Sequence, residues 1–259
     1  MAKPNVHRTA IVDPGAKLAE GVEIGPYCIV GANVKLGKNT KLHSHVVIED
    51  TEMDSDNVIY PFTSIGQPPQ DTKYNNEKTR VTIGKNNIIR EYVTINKASV
   101  GGDRTTKIGN NNFLMAYVHI AHDCSIGNNI IMANATTLAG HVTVEDSVFI
   151  GGLVAVHQFA RIGASSMIGG FSAIAQDIPP FTTAAGERAK LYGLNTVGLK
   201  RQNFDEATIK NLKKAYKILF RSKTTLKEAI KKLKTAREET DEINYLIEFI
   251  EQNKRGVCR

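Results

Sequence analysis

The stretch TLAGHVTVEDSVFIGGLVAVHQFARIGASSMIGGFSAI, residues 137–174, carries an aliphatic residue at every sixth position. These positions are Leu138, Val144, Ile150, Val156, Ile162, Ile168 and Ile174. The period begins at Ile108, and earlier parts of the chain repeat it in shifted registers, from Val12 to Ile48 and from Ile59 onwards. A fixed period over most of a chain predicts a repeat architecture in which each unit packs on its neighbours.

A second column of residues accompanies the first. Two residues before each aliphatic position stands a small or branched residue, as at Val142, Val148 and Ala160. Because strand side chains alternate between two faces, two inward residues in every six describe a short strand and a turn, and three such units close a triangular coil of about 18 residues. Glycine often follows the aliphatic residue, and we interpret it as a bend residue. A β-sandwich would not sustain the unbroken series from Ile108 to Ile174.

Two interruptions of the period predict loops. Between Ile65 and Ile83 the six-residue positions fall in a polar stretch, and after Ile95 the next aliphatic residue comes one position late. We therefore expect extruded loops near residues 67–80 and 97–107. Loops on a rigid scaffold often carry binding residues.

The hexapeptide pattern stops near residue 180, and helical spacing follows. Apolar residues three and four positions apart, together with one capping box, predict three helices near the C-terminus. The chain is predicted to be mainly β: a parallel β-helix over residues 1–180, a bridging segment over 181–203 and a small C-terminal α-helical domain over 204–259.

Composition restricts the class of protein. The 259 residues carry three cysteines and a net charge of +7. We expect neither a disulfide framework nor a membrane span, and the N-terminus favours a cytoplasmic protein. Residues 186–259 hold 18 Lys and Arg against 10 Asp and Glu, whereas residues 1–185 hold 15 against 16. The basic residues are spread at helical spacing with no nucleic-acid motif, so nucleic acid is disfavoured as a partner.

Four of the seven histidines cluster outside the inward columns, at His119, His122, His141 and His157. His122, Gly140 and Gln158 are spaced by one coil each, so they are predicted to stack at one edge, about 4.8 Å apart. A neutral imidazole can accept a hydroxyl proton, and the Gly140 N–H could face an oxyanion. Asp123 could orient the His122 ring only if the chain bends there.

Two other interpretations of these histidines remain open. They could be exposed residues without a function, or a three-histidine zinc site resembling that of the γ-class carbonic anhydrases. No thiolate and no close helical pair of histidines accompanies them, so we expect no metal.

Several short motifs, added to the repeat, carry a family resemblance. They are HIAHDC (119–124), AGHV (139–142), GGLVAVHQF (151–159), QDTK (70–73), QDIPP (176–180), GLN (193–195) and GLKR (198–201). With them, the whole chain resembles the bacterial UDP-N-acetylglucosamine O-acyltransferases, which are hexapeptide-repeat acyltransferases. The resemblance implies a left-handed β-helix and an enzyme that moves a 3-hydroxyacyl group from acyl carrier protein to the glucosamine 3-OH of UDP-GlcNAc, the first step of lipid A biosynthesis. It also implies a cytoplasmic homotrimer without a cofactor.

The same resemblance assigns roles by position. His122 matches the catalytic base, Asp123 its supporting residue and Gly140 the oxyanion donor. Gly170 matches the residue that limits acyl length, and a glycine there implies a long, hydroxymyristoyl-type chain. The substrate-binding set comprises Asp71, Lys73, His119, His141, His157, Gln158, Asn195 and Arg201. The acidic acyl carrier protein would meet the basic tail, where our candidates are Lys213, Lys214, Lys217 and Arg221.

Val197, Gln202 and Asn96 depart from the family pattern, which leaves the nucleotide affinity open. Three alternative functions also stay open. One is the related N-acyltransferase of the same pathway, which is expected to carry a domain ahead of its repeats. The others are transfer to a 3-amino sugar, giving an amide, and a prism that binds a nucleotide sugar without catalysis.

Overall fold

The computed structural model describes residues 3–100, 102–235 and 240–259. Short strands follow one another to Leu194, and helices begin at Thr196. The first strands are β1 (Asn5–Val6), β2 (Ile11–Val12), β3 (Lys17–Leu18), β4 (Glu23–Ile24), β5 (Ile29–Val30), β6 (Lys35–Leu36), β7 (Lys41–Leu42), β8 (Val47–Ile48), β9 (Thr51–Met53), β10 (Val58–Ile59), β11 (Ser64–Gln67), β12 (Arg80–Ile83), β13 (Ile88–Ile89) and β14 (Thr94–Asn96).

The later strands continue the same progression. They are β15 (Thr105–Ile108), β16 (Phe113–Leu114), β17 (His119–Ile120), β18 (Ser125–Ile126), β19 (Ile131–Met132), β20 (Thr137–Leu138), β21 (Thr143–Val144), β22 (Phe149–Ile150), β23 (Ala155–Val156), β24 (Arg161–Ile162), β25 (Met167–Ile168), β26 (Ala173–Ile174), β27 (Thr182–Ala185) and β28 (Lys190–Leu194). The helices are α1 (Thr196–Arg201), α2 (Glu206–Phe220), α3 (Leu226–Lys234) and α4 (Asp241–Glu251).

The strands build a triangular prism. Each strand up to β26 pairs in parallel with strands one coil away. With β27 and β28 added to one of them, the three sheets hold 11, 9 and 8 strands. In the regular part the partners are 18 residues apart, as in the pairing of His119 with Thr137. The aliphatic positions of the repeat point inwards, and Ile120, Leu138 and Ile150 are fully buried. Hydrophobic burial along the prism axis therefore holds the coils together.

One coil is shorter than the repeat predicts. Leu36 pairs with Met53, which is 17 residues later, and Met53 is buried in the aliphatic column. The turn between β8 and β9 has lost one residue, which is why the six-residue count changes register after Ile48.

A row of buried asparagines runs along one edge of the core. Asn57 Oδ1 accepts hydrogen bonds from the backbone N and Nδ2 of Asn87, both at 2.9 Å. Asn87 Oδ1 accepts from the Asn112 backbone N, and Asn112 Oδ1 accepts from the Ile130 N. These polar side chains are tolerated in the core because their oxygens are hydrogen-bonded.

The prism turns at three corners, each with a residue in the left-handed backbone region. The first corner includes Asp123, His141 and Phe159, with φ of 60°, 61° and 65°. The second corner is the column of Tyr117, Ala135, Leu153 and Phe171. The third corner is the column of Asn111, Asn129, Ser147 and Ser165.

The bend residues are therefore mostly not glycines, and our interpretation of the repeat glycines was wrong. The glycines are required by the close approach of successive coils. A Cβ on Gly25 would lie 2.8 Å from the His43 carbonyl carbon, and one on Gly109 would lie 2.5 Å from the Gly127 oxygen.

Both interruptions of the repeat lie at the first corner. Residues 68–79 join β11 to β12, and residues 97–104 join β14 to β15. The loops are anchored on the prism, because Asn96 Nδ2 donates to the Pro68 oxygen at 2.8 Å and Lys97 Nζ lies 2.6 Å from Asp50 Oδ2.

The C-terminal part packs on the end of the prism. The segment expected to be a bridge contains β27, β28 and α1, and β27 extends the first sheet by pairing with β25. The chain end is held by Asp177, whose N–H donates to the Gly256 oxygen and whose oxygen accepts from the Cys258 N–H. Tyr245 on α4 donates to the Glu145 carboxylate. In the described part of the chain, no helix is long and apolar enough to span a bilayer.

Candidate active site

The first corner brings His122 and Asp123 into contact although they are neighbours in sequence. The positive φ of Asp123 turns its side chain back, so that Oδ2 lies 2.7 Å from His122 Nδ1. This is the bend that the orientation of His122 by Asp123 requires. The side chain of Asp123 is only 4% exposed, whereas that of His122 is 17% exposed.

Asp123 is a carboxylate at neutral pH. Burial raises its pKa, but hydrogen bonds from His122 and from Ser99 outweigh that effect and lower the pKa to about 2. Ser99 donates twice to Oδ2, from its N–H at 3.0 Å and its Oγ at 2.6 Å. Since the carboxylate is an acceptor, the proton of the neutral His122 ring is placed on Nδ1, and Nε2 keeps its lone pair.

Gly140 is the residue that makes room for the His122 ring. A Cβ built on Gly140 would lie 2.7 Å from Nε2 and 2.6 Å from Cε1 of that ring. The columns stack as the spacing predicts, since His122 O accepts from the His141 N–H and Gly140 O accepts from the Phe159 N–H. The Gly140 backbone therefore lies directly beside the free nitrogen of His122.

His119 and His141 complete the imidazole cluster. His141 Nε2 lies 3.7 Å from Asp123 Oδ2, its ring packs edge-on against His122, and it stacks on Phe159. His119 Nδ1 hydrogen-bonds Thr94 Oγ1 at 2.7 Å. The pKa of His119 is lowered by burial and, to a smaller extent, by the charge of His122.

His157 and Gln158 lie further along the same corner and are exposed. Among the described residues, the polar contact of His157 is with the carbonyl of Gln158. A groove of about 820 Å³ leads from His141 and Phe159 towards Lys254 and Arg255, and neither His157 nor Gln158 lines it. These two predicted residues are thus exposed at the histidine corner and do not join the hydrogen-bonded cluster.

Asp71 and Lys73 lie in the first loop, which leaves the prism at the same corner. Asp71 Oδ1 accepts from the Lys73 N–H in a local turn, and the Lys73 side chain is exposed. The two loops border a cleft of about 860 Å³ whose lining includes Glu77, Lys97 and Arg104. No contact joins Asp71 or Lys73 to His122 within the described chain.

The residues expected to bind nucleotide lie at the third corner instead. Asn195 caps α1 by accepting from the Gly198 N–H, and its Nδ2 donates to the Ser165 oxygen at 2.9 Å. Gln202 accepts a hydrogen bond from Ser165 Oγ and so fixes the end of α1 to that corner. Arg201 and Val197 are exposed on this helix.

Gly170 lies beside the second corner. Gly170 is exposed, and a Cβ there would meet only the backbone of Gly152, at 3.2 Å from its oxygen. Further along this corner is a ladder of exposed rings with centroids 4.8 to 5.1 Å apart, formed by Tyr27, His45, Phe62, Tyr92 and Tyr117. The predicted functional residues thus occupy three corners of one prism.

Comparison with known proteins identifies the family. A family model described as UDP-N-acetylglucosamine O-acyltransferase, domain 2, matches residues 177–258, and the six-repeat bacterial transferase hexapeptide model matches residues 3–38 and 105–140. The acyl-[acyl-carrier-protein]–UDP-N-acetylglucosamine O-acyltransferase of Thermodesulfovibrio yellowstonii is 64% identical over 255 residues, covering 98% of this chain and 99% of that protein. The chain belongs to the UDP-N-acetylglucosamine O-acyltransferase family. The enzyme of the same name from Herminiimonas arsenicoxydans is 48% identical, covering 98% of this chain and 99% of that protein.

Solved structures agree with this assignment. The UDP-N-acetylglucosamine O-acyltransferase of Moraxella catarrhalis superposes with a TM-score of 0.95 at 45% identity, covering 98% of this chain and 99% of that one. The Arabidopsis UDP-N-acetylglucosamine acyltransferase gives a TM-score of 0.88 at 36% identity, covering 98% and 100%. The family resemblance and the left-handed β-helix predicted from the sequence are confirmed.

Sequence reasoning missed Ser99, Thr94 and Thr106. Thr106 Oγ1 accepts from the Asp123 N–H at 2.9 Å, and so fixes the backbone at the bend. The only available signal for Ser99 was its place in a loop at a break of the repeat, because 24 residues separate it from Asp123. His122, Asp123 and His141 also form a group that could hold a metal ion.

Proposed function

We propose that His122 is the general base of an acyl-ACP:UDP-N-acetylglucosamine O-acyltransferase. The contact of His122 Nδ1 with the Asp123 carboxylate supports this role most strongly, because it fixes the tautomer that leaves Nε2 as a proton acceptor. Nε2 takes the proton of the glucosamine 3-OH while the sugar oxygen attacks the thioester carbonyl of a 3-hydroxyacyl group on acyl carrier protein.

The remaining steps use groups beside Nε2. The carbonyl oxygen becomes an oxyanion and accepts a hydrogen bond from the Gly140 N–H. The intermediate collapses, the new ester remains on the sugar, and the thiolate of the carrier leaves with the proton that His122 had taken. Asp123 stabilises the transient imidazolium, as the partner of a protonated ring must. No cofactor takes part in this sequence.

The substitution His122→Ala tests the mechanism. We expect acyl transfer to UDP-GlcNAc to fall by about 10²- to 10⁴-fold, the usual contribution of a positioned general base. His43→Ala is the matched control, because the His43 ring packs against Tyr60 and lies in a different coil. Near wild-type turnover by His122→Ala would exclude the mechanism, and no turnover by the wild-type protein would exclude the function.

We propose that the functional unit is a homotrimer with active sites between chains. Six residues separate successive corners, which corresponds to about 20 Å of extended chain, so one prism cannot bring His122, Arg201 and Gly170 into one cleft. The exposed ring ladder of the second corner is the kind of surface that a subunit contact covers. Asp71 and Lys73, extruded at the same corner as His122, would contact substrate in this intersubunit cleft, together with His119, His141, His157 and Gln158.

Mixed oligomers test the shared site. His122→Ala and Arg201→Ala are each expected to be nearly inactive. Trimers refolded from an equal mixture should recover about a quarter of wild-type activity, because half of the chains keep His122 and about half of those face a neighbour with an intact Arg201. Wild-type activity of Arg201→Ala alone would contradict its proposed role in holding the diphosphate. No recovery on mixing would contradict the shared site.

We propose that the helical tail docks the acidic acyl carrier protein and that the enzyme works in the cytoplasm. Lys213, Lys214 and Lys217 are exposed on α2, whereas Arg221 also donates to the Leu191 oxygen and so has a structural contact. Reversing Lys213 and Lys217 to Glu should weaken the salt dependence of kcat/KM for the acyl carrier substrate. An unchanged salt dependence would remove these residues from the docking surface.

The open surface at Gly170 supports a long acyl chain of the hydroxymyristoyl type. A donor series from ten to sixteen carbons, offered with UDP-GlcNAc and with its 3-amino analogue, tests both the length and the acceptor. Higher turnover with ten carbons than with fourteen would contradict the proposed length, and preferential amide formation would reassign the acceptor.

A further inference from the structure

The Asp123 carboxylate lies between two imidazoles from successive coils. Its Oδ2 is 2.7 Å from His122 Nδ1 and 3.7 Å from His141 Nε2. One possible ligand atom from each of these three residues falls within 4.8 Å of the other two. Across residues 3–100, 102–235 and 240–259, no other three side chains of His, Cys, Asp or Glu come so close.

This donor set has a definite preference among metal ions. Two neutral imidazoles and one carboxylate suit zinc, cobalt, nickel and copper, whereas magnesium and calcium prefer all-oxygen sites. Ligand bonds of about 2.0–2.2 Å in a tetrahedron place the ligand atoms roughly 3.3 Å apart. The observed separations of 2.7 and 3.7 Å lie on either side of that value, so small side-chain rotations would complete the site.

The neighbouring thiol does not belong to the group. Cys124 points into the core, donates to the Ala139 oxygen, and burial raises the pKa of its thiol to about 12. Ser99, in contrast, supports the site, because its two hydrogen bonds hold Asp123 Oδ2 in the direction of both imidazoles.

We propose that His122, Asp123 and His141 bind one divalent transition-metal ion per chain, zinc being the first candidate, and that the ion reversibly inhibits the acyl transfer. The reaction itself has no need of the metal. The part of the proposal that concerns inhibition rests on the function proposed above, whereas the binding part does not.

Inhibition follows from the tautomer of one ring. In the metal-free protein, His122 Nδ1 carries the proton and Nε2 carries the lone pair. An ion bound to Nδ1 uses the lone pair of that nitrogen, so the ring proton must move to Nε2. Nε2 then donates a hydrogen bond and can no longer accept the sugar proton. The ring neither gains nor loses a proton overall.

Cobalt(II) titration of the chelator-treated wild-type protein tests the binding without substrates. We expect visible absorption typical of a tetrahedral site, saturating at about one equivalent per chain. His141→Gln and Asp123→Asn should each raise the dissociation constant for cobalt by at least about tenfold, because losing even an outer-shell partner of a metal site costs about 10- to 100-fold in affinity. His43→Gln, at a histidine distant from the site, should match the wild type, and thermal melting checks that all variants are folded.

Two results would overturn the binding proposal. One is wild-type cobalt affinity and stoichiometry in both His141→Gln and Asp123→Asn. The other is a loss of binding in His43→Gln equal to that in His141→Gln, which would assign the absorption to surface histidines.

The inhibition is measured separately, as the ratio of turnover with and without zinc. We expect at least a tenfold loss for the wild type, reversed by chelator, and a ratio near one for the residual activity of His141→Gln. Unchanged turnover at zinc concentrations that saturate the site would overturn the inhibition. If the metal-free protein does not transfer acyl groups to UDP-GlcNAc, the proposed function fails while the cobalt result still decides the site.

Discussion

Replacing Gly140 by alanine tests whether the position of the His122 ring decides the rate. The added methyl would lie 2.7 Å from His122 Nε2 and 2.6 Å from Cε1, about 1 Å closer than ordinary van der Waals contact allows. Gly140 does not have a positive φ, so alanine fits the backbone there. The strain must therefore be relieved by moving the imidazole.

The size of the effect follows from what that movement breaks. His122 Nδ1 is held at 2.7 Å from a buried carboxylate, and a hydrogen bond to a charged group is worth about 1.5–3 kcal/mol. If the ring moves by about 1 Å, this bond is lost and Nε2 leaves its position beside the substrate, which can cost about 100-fold in rate. We expect kcat/KM of Gly140→Ala to fall about 100-fold or more.

The assay is steady-state acyl transfer, combined with thermal melting. Gly152→Ala is the matched control for stability, because it adds a methyl at the equivalent turn of the second corner, 3.3 Å from the Asn134 oxygen. The alanine keeps the backbone N–H of residue 140, so the variant separates ring placement from oxyanion binding. Activity within threefold of the wild type would refute the argument from ring placement.

Three further predictions concern residues around the site and the core. Ser99→Ala removes the 2.6 Å hydrogen bond from the Ser99 hydroxyl to Asp123 but keeps the one from the backbone N–H. We expect kcat to fall about tenfold while the melting temperature stays almost unchanged. Losses of stability and activity of equal size would contradict a positioning role. Asn87→Leu leaves the buried partners of the Asn87 amide without hydrogen bonds, and each such partner costs about 1–3 kcal/mol. Urea unfolding should therefore show a free energy of unfolding lower by roughly 3 kcal/mol or more. A decrease below about 1 kcal/mol would contradict this. Burial raises the pKa of Asp177, and this effect outweighs those of a hydrogen bond from the Arg161 N–H and of nearby arginines, which lower it. Ionisation of the Asp177 carboxyl therefore destabilises the folded protein as the pH rises through that pKa. Asp177→Asn should therefore melt higher than the wild type at pH 8 and lose this advantage in acid, and a pH-independent difference would contradict the assignment.

The prism was predictable because its signal is additive along the chain. Each aliphatic residue of the column carries little information, but the regular recurrence from Ile108 to Ile174 leaves few other architectures. The breaks also had a physical meaning, since both became loops. The shortened turn before Met53 could not be predicted, because one missing residue in a turn changes the register without leaving a composition signal.

The candidate site was predictable only where it follows the coil period. The spacing places His122 next to Gly140, but the positive φ of Asp123, which allows its contact with His122, has no signature in a residue that is not glycine. Ser99 reaches Asp123 from an extruded loop, and the conformation of such a loop depends on contacts distant in sequence. Asn195 was predicted as a binding residue from its motif, but its side-chain oxygen caps helix α1 of the same chain.

The buried asparagines cross the part of the prism where the coils are not uniform. Asn57 and Asn87 are 30 residues apart, and Asn87 and Asn112 are 25 apart, because the two coils between them carry the loops. Hydrogen bonds between these amides therefore keep the coils in register on either side of each loop. The first loop, residues 68–79, could therefore change in length without displacing the coils on either side, whereas the second loop must keep Ser99 in place against Asp123.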